Sequence, residues 1–142
     1  MESLTVPAEK TLYVDIDQKY DAWTAKQWVG FRERCHVCED LVGVRFKVLQ
    51  VRRSPSRNIH ARIVLRRAVS VGETFVIRAF LGDDPVRLAC DINRFALYGT
   101  RAEINRIFCE KFVRGETRIA GPWIDLSLAE RAAQVDLGSV TG

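Results

Sequence analysis

Asp15 and Asp17 stand one residue apart in LYVDID, so on an extended strand both carboxylates leave the same face, about 6–7 Å apart. Paired carboxylates of this kind hold the two divalent cations of nucleotidyl transfer, one activating the attacking oxygen and the other neutralising the leaving pyrophosphate. The plainer use of such a pair at a strand end is to solubilise it or to cap a helix. A second group is the run Ser54-Pro55-Ser56-Arg57-Asn58-Ile59-His60. A turn that carries Arg and ends in His suits a triphosphate, because hydroxyl, imidazole and guanidinium can all donate to phosphate oxygens. A partly exposed histidine with no role is the alternative there.

Charge placement adds a third feature. The net charge of the 142 residues is only +4. Between Leu41 and Gly72, however, lie Arg45, Lys47, Arg52, Arg53, Arg57, Arg62, Arg66 and Arg67, with no Asp or Glu among them. Arginine pairs bidentately with phosphate, so the run reads either as a nucleic-acid or nucleotide-phosphate surface or as a solvated face with partners on other elements. Nothing in it reads a base sequence.

Other chemistries are excluded cheaply. Walker-type phosphate loops and G-x-S-x-G elbows are absent. His36 and His60 are the only histidines, too far apart for the His-x-His metal site of a rolling-circle nickase. Cys35-His36-Val37-Cys38 has zinc half-site spacing, but no second pair completes it, and both cysteines fall on an apolar helical stripe, so buried thiols are expected. The start MESLTVPAEK has neither a basic region nor an apolar run, and no stretch of 18 apolar residues occurs. Reduced thiols, a cytoplasmic location and no membrane partner are expected.

These residues must be positioned by local structure. Leu12, Val14 and Ile16 alternate with Tyr13, Asp15 and Asp17, the pattern of a strand with one buried face. Ala25, Trp28, Phe31, Cys35, Cys38 and Val42 recur at helical spacing before Gly43, which predicts an amphipathic helix within 20–43. Runs 44–53 and 58–67 predict two adjacent strands, the second with Ile59, Ala61, Ile63 and Leu65 on its apolar face and His60, Arg62, Val64 and Arg66 on the other. Ser70 with Glu73 forms a capping box, and Asp84-Pro85 restarts a second helix, in which Arg87, Asp91 and Arg94 share a stripe suited to ion pairing. A further strand is expected over 103–113, an edge strand after Gly115, and a short helix from Ser127 to about Gln134. Gly121-Pro122 marks a turn, and Trp123 reads as a core lid or as a stacking platform.

The order β-α-β-β-α-β predicts an α/β (α+β) fold, an RRM-like sheet with helices packed on one face and the other face free. The expected organisation is an N-terminal tail over 1–10, the domain over 11–122, and a C-terminal short helix and tail over 123–142.

Val14-Asp15-Ile16-Asp17 resembles the hydrophobic-D-x-D motif of the archaeo-eukaryotic primase superfamily, and Ser54 to His60 resembles its S-x-H turn. The likeness covers about residues 11–121. It implies a primase-polymerase nucleotidyltransferase in replication or repair, with DNA or RNA and nucleoside triphosphates as partners and Mg²⁺ or Mn²⁺ as cofactor. On that basis Asp15, Asp17 and Glu110 of RIFCEKF would hold the metals, with Asp91 as a rival third carboxylate. Ser56, Arg57 and His60 would bind the triphosphate, while Arg45, Lys47, Arg52, Arg53, Arg62 and Arg66 would contact nucleic acid. Minimal copies of this sort are expected on archaeal viruses and plasmids. The alternatives are a catalytically inactive nucleic-acid-binding or replication-accessory module using the same basic face, and a protein-interaction domain whose arginines meet an acidic partner.

Overall fold

The computed structural model describes residues 10–141, with side chains to residue 135. In chain order its elements are β1 (Thr11–Lys19), a 3-10 turn (Tyr20–Ala22), α1 (Ala25–Val42), β2 (Phe46–Arg53), β3 (Asn58–Leu65), α2 (Val71–Phe80) and α3 (Pro85–Tyr98). A second 3-10 turn (Gly99–Arg101), β4 (Glu110–Val113), β5 (Glu116–Ile119), β6 (Ile124–Asp125) and α4 (Leu126–Thr141) follow. The fold is α+β. An antiparallel sheet in the order β1-β3-β2-β6 carries α1, α2 and α4 on one face, and β4 and β5 form a separate hairpin.

The period-2 pattern accounts for the buried face. Leu12, Val14 and Ile16 of β1 and Ile59, Ala61, Ile63 and Leu65 of β3 are all buried against Trp28, Phe31, Cys35 and Cys38 of α1. Each large apolar side chain removed from water in this way contributes about 1.5–3 kcal/mol. The helix starts at Ala25, where its apolar pattern begins, because Thr24 caps it: its hydroxyl accepts from the Gln27 amide while the Gln27 side chain accepts from the Thr24 amide. Gly43, at φ 75°, ends it in the left-handed conformation that glycine adopts without strain. Ser70–Glu73 and Asp84–Pro85 cap α2 and α3 as their spacing predicts.

Two expectations fail at the C-terminal side. The strand expected over 103–113 is regular only at Glu110–Val113, and it pairs with β5 rather than extending the main sheet. The helix expected to be short is α4, 16 residues long; Leu126 and Ala129 enter the main core, and β6 pairs with β2. Residues 123–135 are thus part of the same packed unit as the sheet. Of the N-terminal tail, residues 1–9 lie outside the described residues.

No strand occupies the outer edge of β1 among the described residues; side chains take the ladder positions there. The Asn105 carboxamide accepts from the Tyr13 amide (3.1 Å) and donates to the Thr11 carbonyl (3.4 Å), as a neighbouring peptide would. Arg87 donates to the Tyr13 carbonyl (3.2 Å), the Asp83 carboxylate accepts from the Asp15 amide (2.7 Å), and the Asp84 amide donates to the Asp15 carbonyl (2.7 Å). A covered edge must satisfy its amides and carbonyls, and here polar side chains and the Asp84 amide do so. Beneath them, the fully buried Arg78 pairs with Asp83 and Asp91, both at 2.8 Å, and Arg87 pairs with Asp83 at 2.7 Å. Arg78 and Arg87 are thus matched by Asp83 and Asp91, the latter shared with Arg94.

Candidate functional site

The sheet face away from α1 carries polar rows. Asp15, His60 and Arg52 are cross-strand neighbours, as are Tyr13, Arg62 and Gln50. His60 is buried, at 3% exposure, and not the partly exposed residue of the alternative reading. Its Nδ1 accepts from Arg52 Nε–H at 3.1 Å, which puts the proton of the neutral ring on Nε2, 3.8 Å from Asp15 Oδ1. Burial, then the charges of Arg52 and Arg87, lower the His60 pKa to about 4, so the ring is neutral at physiological pH. Burial pushes the Asp15 carboxyl up to about 6; Arg87 opposes this, and Asp83, Asp84 and Asp17 add to it. Trp123 is half-buried and belongs to neither apolar core, so it is not a core lid; its ring centroid lies 4.2 Å from the Arg52 guanidinium and 4.7 Å from that of Arg62.

The turn before His60 is organised by Ser54, a member of the expected turn to which the residue pattern assigns no role of its own. Its buried hydroxyl accepts from the Ser56 amide (3.2 Å) and the Asn58 amide (3.0 Å), and its carbonyl accepts from the Arg57 amide (2.8 Å). The turn amides are therefore committed internally, and a phosphate there would meet side chains. Arg57 is exposed and sits at φ 66°, a left-handed position that costs a non-glycine residue roughly 1 kcal/mol. Ser56 Oγ accepts from Lys111 Nζ at 3.2 Å, which ties the turn to β4.

Asp15, Ser56, His60 and Glu110 line one cleft of about 1060 Å³, walled by α3 and by the segment 101–111. Arg94, Arg101, Arg106 and Lys111 line it too. Arg94 is paired with Asp91 (3.3 Å) and Arg106 with Glu103. Lys111 and Arg101 have no carboxylate within 4 Å among the described residues. The 102–107 segment also borders a second hollow of about 760 Å³, lined by Tyr13, Arg52 and Trp123.

The remaining sequence candidates separate. Asp17 is exposed and accepts from Asn58 Nδ2 at 3.3 Å. Asp91 is buried, accepts from the Asn105 amide (2.9 Å) and is held by Arg78 and Arg94; Arg87, the other arginine of its stripe, turns to Asp83. Among the described residues no three His, Cys, Asp or Glu side chains gather closely enough to hold a metal ion. Of the three carboxylates expected to share metals, Asp15 and Glu110 line the cleft and Asp17 does not. Cys35 and Cys38 are fully buried in the core, with thiols pushed up by burial to about 12 and about 11, which disfavours the thiolate a metal requires.

The acid-free arginine run does not form one surface. Arg52 and Arg62 lie on the polar face beneath Trp123. Arg53 pairs with Asp21 (2.6 Å) and stacks on Tyr20, Arg45 pairs with Asp40 (3.0 Å), and Arg67 donates to the Gly43 carbonyl (3.0 Å). Lys47 and Arg66 are exposed.

No protein-family model, curated protein or solved structure matches the chain. No helix among the described residues is long and apolar enough to cross a membrane.

Proposed function

We propose that this protein is a nucleic-acid-binding module, of the kind a primase-like chain without a completed metal centre would be, and that it grips phosphates in the cleft between the Ser54–Asn58 turn and the 101–111 segment. The observation that carries the reading is the gathering of Ser56, His60, Arg101 and Lys111 around one cleft from distant parts of the chain. Arg101 and Lys111 supply charge not neutralised by a neighbouring carboxylate. The neutral His60 ring offers its Nε2–H, and the Ser56 hydroxyl offers a further donor, to a phosphate oxygen. Binding of this kind releases counterions and weakens with salt. The test is titration of a labelled single-stranded oligonucleotide over a range of salt concentrations. Arg101→Ala and Lys111→Ala should each weaken binding and reduce the salt slope by about 0.7, while Asp15→Asn leaves binding equal or slightly tighter. Absence of salt-dependent binding by the wild-type protein would sink the proposal.

A second reading, nucleotidyl transfer to a DNA or RNA end from nucleoside triphosphates with Mg²⁺ or Mn²⁺, is favoured by one observation: Asp15, Ser56, His60 and Glu110 share that cleft. It predicts incorporation by the wild type that Asp15→Asn and His60→Ala abolish. Equal incorporation by all three, or none with any nucleotide and metal, rules it out.

A further inference from the structure

The β4–β5 hairpin stands outside both apolar cores and exposes apolar surface that no packing in the fold accounts for. Phe108 is 76% exposed, Phe112 72% and Ile119 73%. The register Glu110↔Ile119 and Phe112↔Thr117 puts Phe112 and Ile119 on one face of the ribbon. Phe108 itself lines the cleft, and Glu110, on the same ribbon face as Phe112, lines it as well. An aromatic path thus leads from the cleft onto the hairpin.

The opposite face carries Lys111 and Arg118, with Val113 and Glu116 beside them. Lys111 and Arg118 are direct cross-strand partners, and like charges facing each other across a ladder destabilise a hairpin. The tip adds Arg114 at φ 51°, followed by Gly115 at φ 81°. A turn of this kind favours Asn or Gly at its first position, where Arg is strained. A ribbon that sets two cations opposite each other, places a third in a left-handed turn and leaves aromatic rings in water is poorly arranged for stability alone. It is well arranged for a polyanion that carries flat apolar rings. Single-stranded nucleic acid has that chemistry, and aromatic side chains beside basic ones are how sequence-tolerant single-strand binders hold it.

We infer that the hairpin is a stacking platform for a single strand leaving the cleft: bases lie on Phe108 and Phe112, and phosphates run from Lys111 in the cleft towards Arg114 at the tip. The inference rests on the proposed nucleic-acid reading of the cleft and extends it to a single-stranded substrate longer than the cleft itself. The ring contacts make it tolerant of base identity, since every base offers a π-face.

The experiment compares oligothymidylates of about 4 and about 16 nucleotides, a length span set by the site sizes of known single-strand binders, on the full chain with and without Phe108→Ala/Phe112→Ala. Both phenylalanines are exposed, and an unchanged thermal midpoint checks that the variant folds. The long oligonucleotide should bind the wild type more tightly than the short one. The double variant should lose about tenfold or more on the long one with an unchanged salt slope, and Phe112→Ala alone, which lies outside the cleft lining, should weaken the long one with little loss on the short one. Normal, salt-dependent binding of the long oligonucleotide by the double variant overturns the platform and leaves the cleft reading standing. Lack of binding by the wild type overturns both. Sedimentation of the wild type as a dimer that the double variant abolishes also overturns the platform, because the rings would then be covered by a second copy.

Discussion

The two faces of the four-stranded sheet are built from the same three long strands and held by opposite means. The helix-covered face is apolar, with Ile59, Ala61, Ile63 and Leu65 of β3 set against α1. The other face and the β1 edge beside it depend on charge and hydrogen bonds: Asp15, His60 and Arg52 in a row, and Asp83, Arg87 and Asn105 in place of a strand. An apolar face tolerates small errors of fit, because dispersion and burial act over many weak contacts. A buried polar cluster tolerates few, because each unpaired group bears its full desolvation penalty.

That contrast can be broken most severely at Asp83. Asp83→Ala leaves Arg78 and Arg87 buried with half their countercharge and frees the Asp15 amide, so a loss of about 3–5 kcal/mol is expected in denaturant unfolding. Ile63→Ala, on the apolar face, should cost about 2–5 kcal/mol through lost burial and a cavity. If Asp83→Ala proves nearly silent, the polar edge is not structural in the way described.

Asn105→Ala sharpens the same comparison at smaller scale. It deletes the carboxamide that stands in for a peptide and should cost about 1–3 kcal/mol, with hydrogen exchange of the Tyr13 amide rising first. The apolar face should keep its protection.

The smallest expected effect is in pH dependence. Asp15 has its pKa raised from the ordinary 3.8 to about 6 in the folded state, so its contribution is greatest below pH 4 and is lost as pH rises to about 6. His60 has its pKa lowered from 6.5 to about 4, so its contribution grows as pH rises from about 4 to 6.5. The two oppose each other. Asp15→Asn should therefore make stability climb more steeply between pH 4 and 6.5 than in the wild type, and His60→Gln should make it fall; urea midpoints across that window decide.

Much of the fold was legible because its signals are local. Thr24 with Gln27 and Ser70 with Glu73 sit three residues apart, and a capping box needs nothing else. The alternation in β1 and β3 names the buried face outright. The hairpin was not legible in this way: Glu110 to Val113 has a strand-like pattern whichever strand it pairs with, and its partner is chosen by the tight Arg114-Gly115 turn. The site was legible as a set of residue types and not as a set of neighbours. Asp15 and His60 do meet across β1 and β3, whereas Asp17 turns to Asn58 and Asp91 is consumed by Arg78, a residue whose burial no helical pattern announced. The role of Ser54 was not legible because gathering two turn amides on one hydroxyl leaves no mark on periodicity.

The sequence by itself determined the helices, the buried face of the sheet and the presence of an acid-free arginine run, since capping and periodicity act within a few residues. Only the tertiary structure decided where charge is left over. Most of the arginines in that run are taken up by Trp123, Tyr20, Asp21, Asp40 and backbone carbonyls, while Lys111 and Arg101, from outside it, line the cleft. Coulombic pairing depends on distance in space, and the distances were set by where α3, the 101–111 segment and the Ser54–Asn58 turn meet around the cleft.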